Sequence, residues 1–244
     1  MAAGFGYLQC RIRPAPSKVG SWLFDHRSLG ARYFVENVAA GASRQIRFIA
    51  LGALAGLATV GIVRGAELLM GPFLVMLMGV SQVAVPEASH VMSAAPTKLA
   101  RFCLALGAAL AVLAGVWGLF VLIVLPMGLG SLLLGPIWTP AAELLPALVV
   151  LMCMAGFVDG ASAGVRALGA SRRSLAAQLV TSATYVVGST VGVLAAGAVG
   201  SCWGVALATT LGAFVWWYHL RRAIAEHLLV LDAATDLDSP LVSP

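Results

Sequence analysis

The sequence predicts an all-α integral membrane protein, a bundle of six transmembrane helices. Three observations predict it. Of the 244 residues, 60% are hydrophobic and only 10% charged, with a mean hydropathy of +0.95; soluble domains carry about 25% charged residues. Six mostly apolar windows are each long enough, at roughly 20 residues, to cross hydrocarbon. They lie near 37–57, 62–86, 101–126, 143–165, 175–196 and 199–219. Finally, Lys and Arg collect on alternate connections between these windows, as the positive-inside rule requires.

The segment 1–36 reads as cytoplasmic. It opens on an apolar stub, Ala2 to Leu8, stopped by Arg11 and Arg13 like the cytoplasmic end of a helix whose remainder is missing. Pro14, Pro16 and Ser17 make an extended linker. Trp22-Leu23-Phe24, with His26 and Arg27, suits a short amphipathic stretch at the interface. No signal peptide is recognisable in this stretch, so the spans themselves direct insertion.

The six-helix bundle follows over 37–220. Lys98 and Arg101 follow the second window, Arg166, Arg172 and Arg173 the fourth, and Arg221 and Arg222 the sixth. The opposite connections, near 57–61, 127–142 and 197–198, carry none, with Arg64 the one basic residue close to that side. Both termini are therefore expected in the cytoplasm. This asymmetry, with the arginines inside the windows, accounts for the net charge of +5. A nucleic-acid partner would need a basic, aromatic-bearing soluble surface, and none is present. Beyond the bundle, 221–244 is acidic and Pro-terminated, and is expected to be loose.

Small residues recur at four-residue spacing as Gly52/Gly56, Gly156/Gly160/Gly164 and Gly188/Gly192. Helices in lipid associate by close backbone approach, which such residues permit. Pro72, Pro86 and Pro146 mark kinks or helix ends and are candidate hinges. The scattered Cys10, Cys103, Cys153 and Cys202 read as packing residues, not as metal ligands or disulfides. Gly160-Ala161-Ser162-Ala163-Gly164 matches the GxSxG pattern of serine hydrolases, but no histidine falls at comparable depth. With no HExxH, P-loop or GxGxxG either, neither an enzyme nor a cofactor is expected.

The chemically informative residues are charges inside windows. A guanidinium at the bilayer centre costs about 2.5–3.5 kcal/mol on insertion scales, so it usually faces a cavity or a partner. At about 100° per residue, Glu36, Asn37, Ser43, Arg44 and Arg47 share one side of the first helix. Buried arginine grips phosphate oxygens bidentately, so Arg44 and Arg47, with Arg64 at the outer mouth, are candidate ligands for an anionic head group. Three alternatives stand beside this: Glu36 pairing with Arg44, snorkelling of both arginines, or pairing with acidic residues of another helical unit. Arg64 and Glu67, spaced i, i+3, favour mutual neutralisation. Asp159 and Glu36 are candidates for ion coupling, while Asp159 also lies near enough to the helix end to pair with Arg166 or take water.

The run Arg64-Gly65-Ala66-Glu67-Leu68-Leu69-Met70-Gly71-Pro72, then Gly79 and Val85-Pro86-Glu87-Ala88, resembles the first hairpin of the second half of bacterial polysaccharide flippases. Leu134-Gly135-Pro136-Ile137-Trp138 and Arg166-Ala167-Leu168-Gly169 resemble later parts of the same half. The family is the multidrug/oligosaccharidyl-lipid/polysaccharide exporter superfamily, which includes O-antigen and lipid II flippases; the resemblance covers roughly residues 5–228. It implies a flippase fold of twelve or more helices in two halves, of which this chain resembles the C-terminal one. It further implies movement of a polyprenyl-linked oligosaccharide across a bacterial plasma membrane by alternating access. A second six-helix half would come from the same gene read from an earlier start, a separate chain or a second copy. The competing expectation is a non-transporting six-span protein or a scaffold for cell-envelope biosynthesis.

Overall fold

A computed structural model of the chain describes residues 19–238, with side chains over 27–229. The apolar stub and the Pro14–Pro16 linker lie outside the described residues, as do the side chains of Trp22 to Phe24. Of the described residues 96% are helical and none is in a strand. In order the helices are α1 (Val19–Ala55), α2 (Leu57–Leu69), α3 (Gly71–Ala94), α4 (Leu99–Val124), α5 (Leu129–Leu134), α6 (Trp138–Ala142), α7 (Leu145–Ala167) and α8 (Ser171–Asp238).

Four helical stretches are long and apolar enough to cross a membrane: Gly71–Ala94, Pro96–Met127, Leu145–Ala167 and Ser171–Leu229. Their outward faces are as apolar as the core. Val75, Met78 and Val83 on α3 are exposed, as are Val112, Val116 and Leu119 on α4. Greasy surfaces on this scale suit a hydrocarbon surround rather than water.

The boundaries depart from expectation in four places. No break separates 19–36 from the bundle: α1 runs unbroken from Val19 past residue 37, because no proline interrupts it. The window 62–86 is divided at Met70, where α2 closes with Met70 N–H on the Glu67 carbonyl at 3.0 Å and Pro72 begins α3. Pro72 and Pro146 sit in the first turns of α3 and α7, where a missing N–H costs nothing, whereas Pro86 lies inside α3. Windows 175–196 and 199–219 are the two arms of α8, which reverses at Ala196 and Gly197 (φ +58). The tail expected to be loose continues α8 helically to Asp238. Its Ala-, Leu- and Glu-containing sequence favours helix, and Arg173 bonds Glu226 across to the start of α8.

Two hairpins organise the molecule. Gly56, in the left-handed region at φ +87, turns α1 back on α2. Gly52 accordingly meets Val60, and Phe48 meets Arg64. In α8 the arms meet at glycine: a Cβ at Gly192 would stand 2.0 Å from the Gly200 carbonyl oxygen, and one at Gly204 2.0 Å from that of Gly188. Ser189 and Ser201 hydrogen-bond between them at 2.8 Å. The Gly156, Gly160 and Gly164 row lets α7 approach α4 at Leu110, Gly107 and Cys103. Thus α7 packs on α4 and α8, α1 on α8 and α3 on α7.

Candidate functional site

Helix α1 buries polar residues against its neighbours and exposes several large apolar ones. Glu36, Ser43 and Arg47 recur at seven- and four-residue intervals and are all buried, whereas Phe34, Val38, Ile46 and Ile49 are exposed. The buried polar groups find partners on neighbouring helices. Three polar nodes lie along it.

The node nearest Gly56 is built on Arg47, which is 1% exposed. Its Nη1 donates to Glu67 Oε1 at 2.8 Å and to Tyr185 Oη at 3.2 Å, and its Nη2 to Cys202 Sγ at 3.6 Å. Hairpin register brings Glu67 of α2 opposite Arg47, and the two arms of α8 supply Tyr185 and Cys202. The other Glu67 oxygen lies 3.9 Å from Arg64, whose guanidinium sits 3.6 Å over the Phe48 ring. Arg47 thus acts as a counter-charge binding α1 to α2 and α8, with both Nη groups bonded and its Nε without a partner among the described residues. Arg64, 57% exposed, stays accessible at the rim.

At the other end of α1, Glu36 is also spoken for. It is buried and accepts from Arg166 Nη2 at 2.6 Å and from Ser174 Oγ at 2.8 Å. One turn earlier Arg32 Nη1 donates to Ser171 Oγ at 3.0 Å. This clasp fixes α1 to the α7–α8 corner. Its bonded partners are thus Arg166 and Ser174, and the Glu36–Arg44 pair is absent.

Between the two nodes stands Arg44, exposed and without a hydrogen bond or ion pair among the described residues. On α7, Asp159 Oδ2 accepts from Ser81 Oγ of α3 at 2.8 Å. The cations whose fields reach Asp159 are Arg166 and Arg44. Arg166 is committed to Glu36, so the expected Asp159–Arg166 pair is absent. Helices α1 and α3 share no substantial packing, being joined through α7 and α8.

Nothing along the chain marks Tyr185, Cys202, Ser174 or Ser81 as partners, since hydroxyls and thiols in apolar spans carry no mark of what faces them. Ser162 spends its hydroxyl on the Asp159 carbonyl of its own helix at 3.0 Å. Among the described residues no three His, Cys, Asp or Glu side chains converge as metal ligands would.

Comparison with protein families, with curated proteins and with solved structures found no match in any of the three.

Proposed function

We propose that this chain is one six-span half of a flippase that carries a lipid-linked oligosaccharide or polysaccharide precursor across a bacterial cytoplasmic membrane by alternating access. Both termini lie in the cytoplasm, and a second six-helix half completes the transporter. Arg44 holds the anionic head group on the exposed side of α1, with Arg64 at the outer rim. The observation that carries this is Arg44 itself. Glu36, Arg47 and Asp159 each have a bonded partner, whereas Arg44 has none among the described residues, and an unpaired guanidinium at membrane depth is retained at a cost of about 2.5–3.5 kcal/mol. A ligand supplying phosphate oxygens repays that cost.

The test is export of the lipid-linked glycan, scored at the outer leaflet in cells carrying Arg44→Ala. Export should fall at least tenfold while membrane insertion and melting temperature stay at wild-type values. Wild-type export from a normally inserted Arg44→Ala protein refutes the proposal. An epitope tag placed after Pro244 at the native locus locates the second half. A band near 25.1 kDa points to a separate chain or a second copy, and one near twice that to a single longer polypeptide.

One observation favours the second reading, a non-transporting membrane scaffold: Arg47, the other intramembrane arginine, is consumed internally. On that reading Arg44→Ala changes neither export nor stability.

A further inference from the structure

We propose that the connection between α4 and α7, residues 125–142, is a lipid-binding surface lying inside the membrane. Its short helices α5 and α6 sit at the hydrocarbon edge of one leaflet, with Met127, Leu129, Leu132 and Leu133 against lipid acyl chains. The proposal needs only the four membrane-crossing stretches and is independent of the transport reading.

Length comes first. Helix α5 has six residues and α6 five. At 1.5 Å per residue these are about 9 and 8 Å long, far short of the roughly 30 Å that a span must cross. The connection therefore starts and finishes at one end of the bundle, the end where α1 turns at Gly56 and α8 at Gly197. An apolar stretch of about 10–14 residues suits an interfacial or re-entrant segment, and Leu129–Ala142 is such a stretch. No charged residue occurs between Arg101 and Glu143.

Exposure separates this connection from those at the opposite end. Met127 is 80% exposed, Leu132 79% and Leu133 64%. The α3–α4 connection instead exposes Thr97 and Lys98, and the α7–α8 corner Gly169 and Arg172; neither exposes a large apolar side chain. One chain thus builds its two ends differently, one for water and the other for hydrocarbon.

The large side chains face outwards because the inward side is already filled. A Cβ at Gly130 would stand 2.4 Å from the Trp138 indole, and one at Gly65 of α2 would stand 3.0 Å from Ile137. Ala141 is fully buried. Ile137 and Ala141 fasten the connection to the bundle, which leaves Leu132 and Leu133 outside. That outer face continues the lipid-facing side of α4, where Leu119 and Ile123 are exposed, and no polar side chain interrupts it from Ile123 to Met127. Continuity names the occupant: the acyl chains that cover α4 cover α5 as well. Exposed Glu143, at the start of α7, marks where water begins.

The test uses the purified full chain, one per lipid nanodisc, so that neither a partner nor a second copy covers the segment. Cys10 and Cys153 are replaced by Ala, while Cys103 and Cys202, both fully buried, are retained. A nitroxide is attached at Leu132→Cys, at Leu133→Cys and, as the reference for water, at Glu143→Cys. Its relaxation by molecular oxygen, which concentrates in hydrocarbon, is compared with that by a nickel chelate, which stays in water. Oxygen should act more strongly at Leu132 and Leu133, and the chelate at Glu143. Dominance of the chelate at all three positions overturns the proposal. Low access to both probes at Leu132 and Leu133 also overturns it, because the segment is then packed against protein. A second measurement needs no label. Leu132→Asp/Leu133→Asp should lower the melting temperature in nanodiscs by several degrees, since hydrocarbon expels carboxylates. A wild-type melting temperature in that variant is the behaviour of a loop in water and refutes the lipid contact.

Discussion

Glu67→Gln is the sharpest test of the packing around α1. The substitution keeps shape and a hydrogen-bond acceptor but removes the negative charge 2.8 Å from a guanidinium that is 1% exposed. Breaking a buried pair by removing one partner costs about 3–5 kcal/mol, because the surviving charge stays desolvated. Two features place the loss at the lower end. Glu67 is itself 21% exposed, and Tyr185 Oη at 3.2 Å and Cys202 Sγ at 3.6 Å continue to accept from Arg47. We therefore expect a loss of about 3 kcal/mol, which in a chain of this size is a drop in melting temperature of about 6–12 °C. The assay is thermal unfolding of purified protein in one detergent, with Arg47→Met/Glu67→Leu alongside. The double variant should recover most of the loss, since replacing both charges with apolar groups of similar volume is often neutral. The reasoning is falsified if Glu67→Gln melts within about 0.5 kcal/mol of wild type, the range of an ordinary surface change, or if the double variant falls as far as the single one.

Three further outcomes follow from named contacts. In the Glu36 clasp the two partners are unequal: Glu36 is 3% exposed at its side chain and Arg166 37%. Arg166→Ala, which strands a buried carboxylate, should therefore lower the melting temperature more than Glu36→Gln, which leaves a guanidinium able to reach water; the reverse order would show that Ser174 alone satisfies Glu36. In the α8 hairpin, Gly192→Leu should separate the arms and cost several kcal/mol, as overpacking against backbone does, read as loss of folded protein on size exclusion. With Ser189 and Ser201 oxygens 2.8 Å apart, Ser189→Cys/Ser201→Cys should form a disulfide under mild oxidant. The check is a count of thiols open to maleimide after unfolding, two fewer than in the reduced sample; an unchanged count would mean the arms do not meet there.

The first helix shows how far sequence reasoning reached and where it stopped. A 100° periodicity correctly grouped Glu36, Ser43 and Arg47 on one face, because helical geometry is local. It also grouped Arg44 with Arg47, whereas the structure sends Arg47 into the core and leaves Arg44 exposed at the edge of that face. Only the neighbouring helices separate two residues three positions apart. The Arg47–Glu67 pair depends on where the hairpin turns. With a turn centred between the windows, near 57–61, Arg47 faces residues beyond Glu67; with the left-handed turn at Gly56 the two align. Gly56 had been grouped with Gly52 as a packing residue, yet a Cβ there would meet nothing within 4 Å. Its use is conformational, and spacing alone does not distinguish the two roles.

The sequence by itself determined an all-helical chain with stretches suited to crossing a membrane, and it marked the charges that need an explanation there. Those properties are sums over local segments: hydropathy, length and periodicity require no knowledge of what lies opposite. The tertiary structure decided which charge meets which. It gave Glu36 to Arg166 and Ser174, Arg47 to Glu67, Tyr185 and Cys202, and Asp159 to Ser81, and it left Arg44 without a bonded partner. Each pairing joins residues of different helices. Its energy depends on the register of two hairpins and on burial to within a fraction of an ångström, and neither is contained in the order of residues along any one helix.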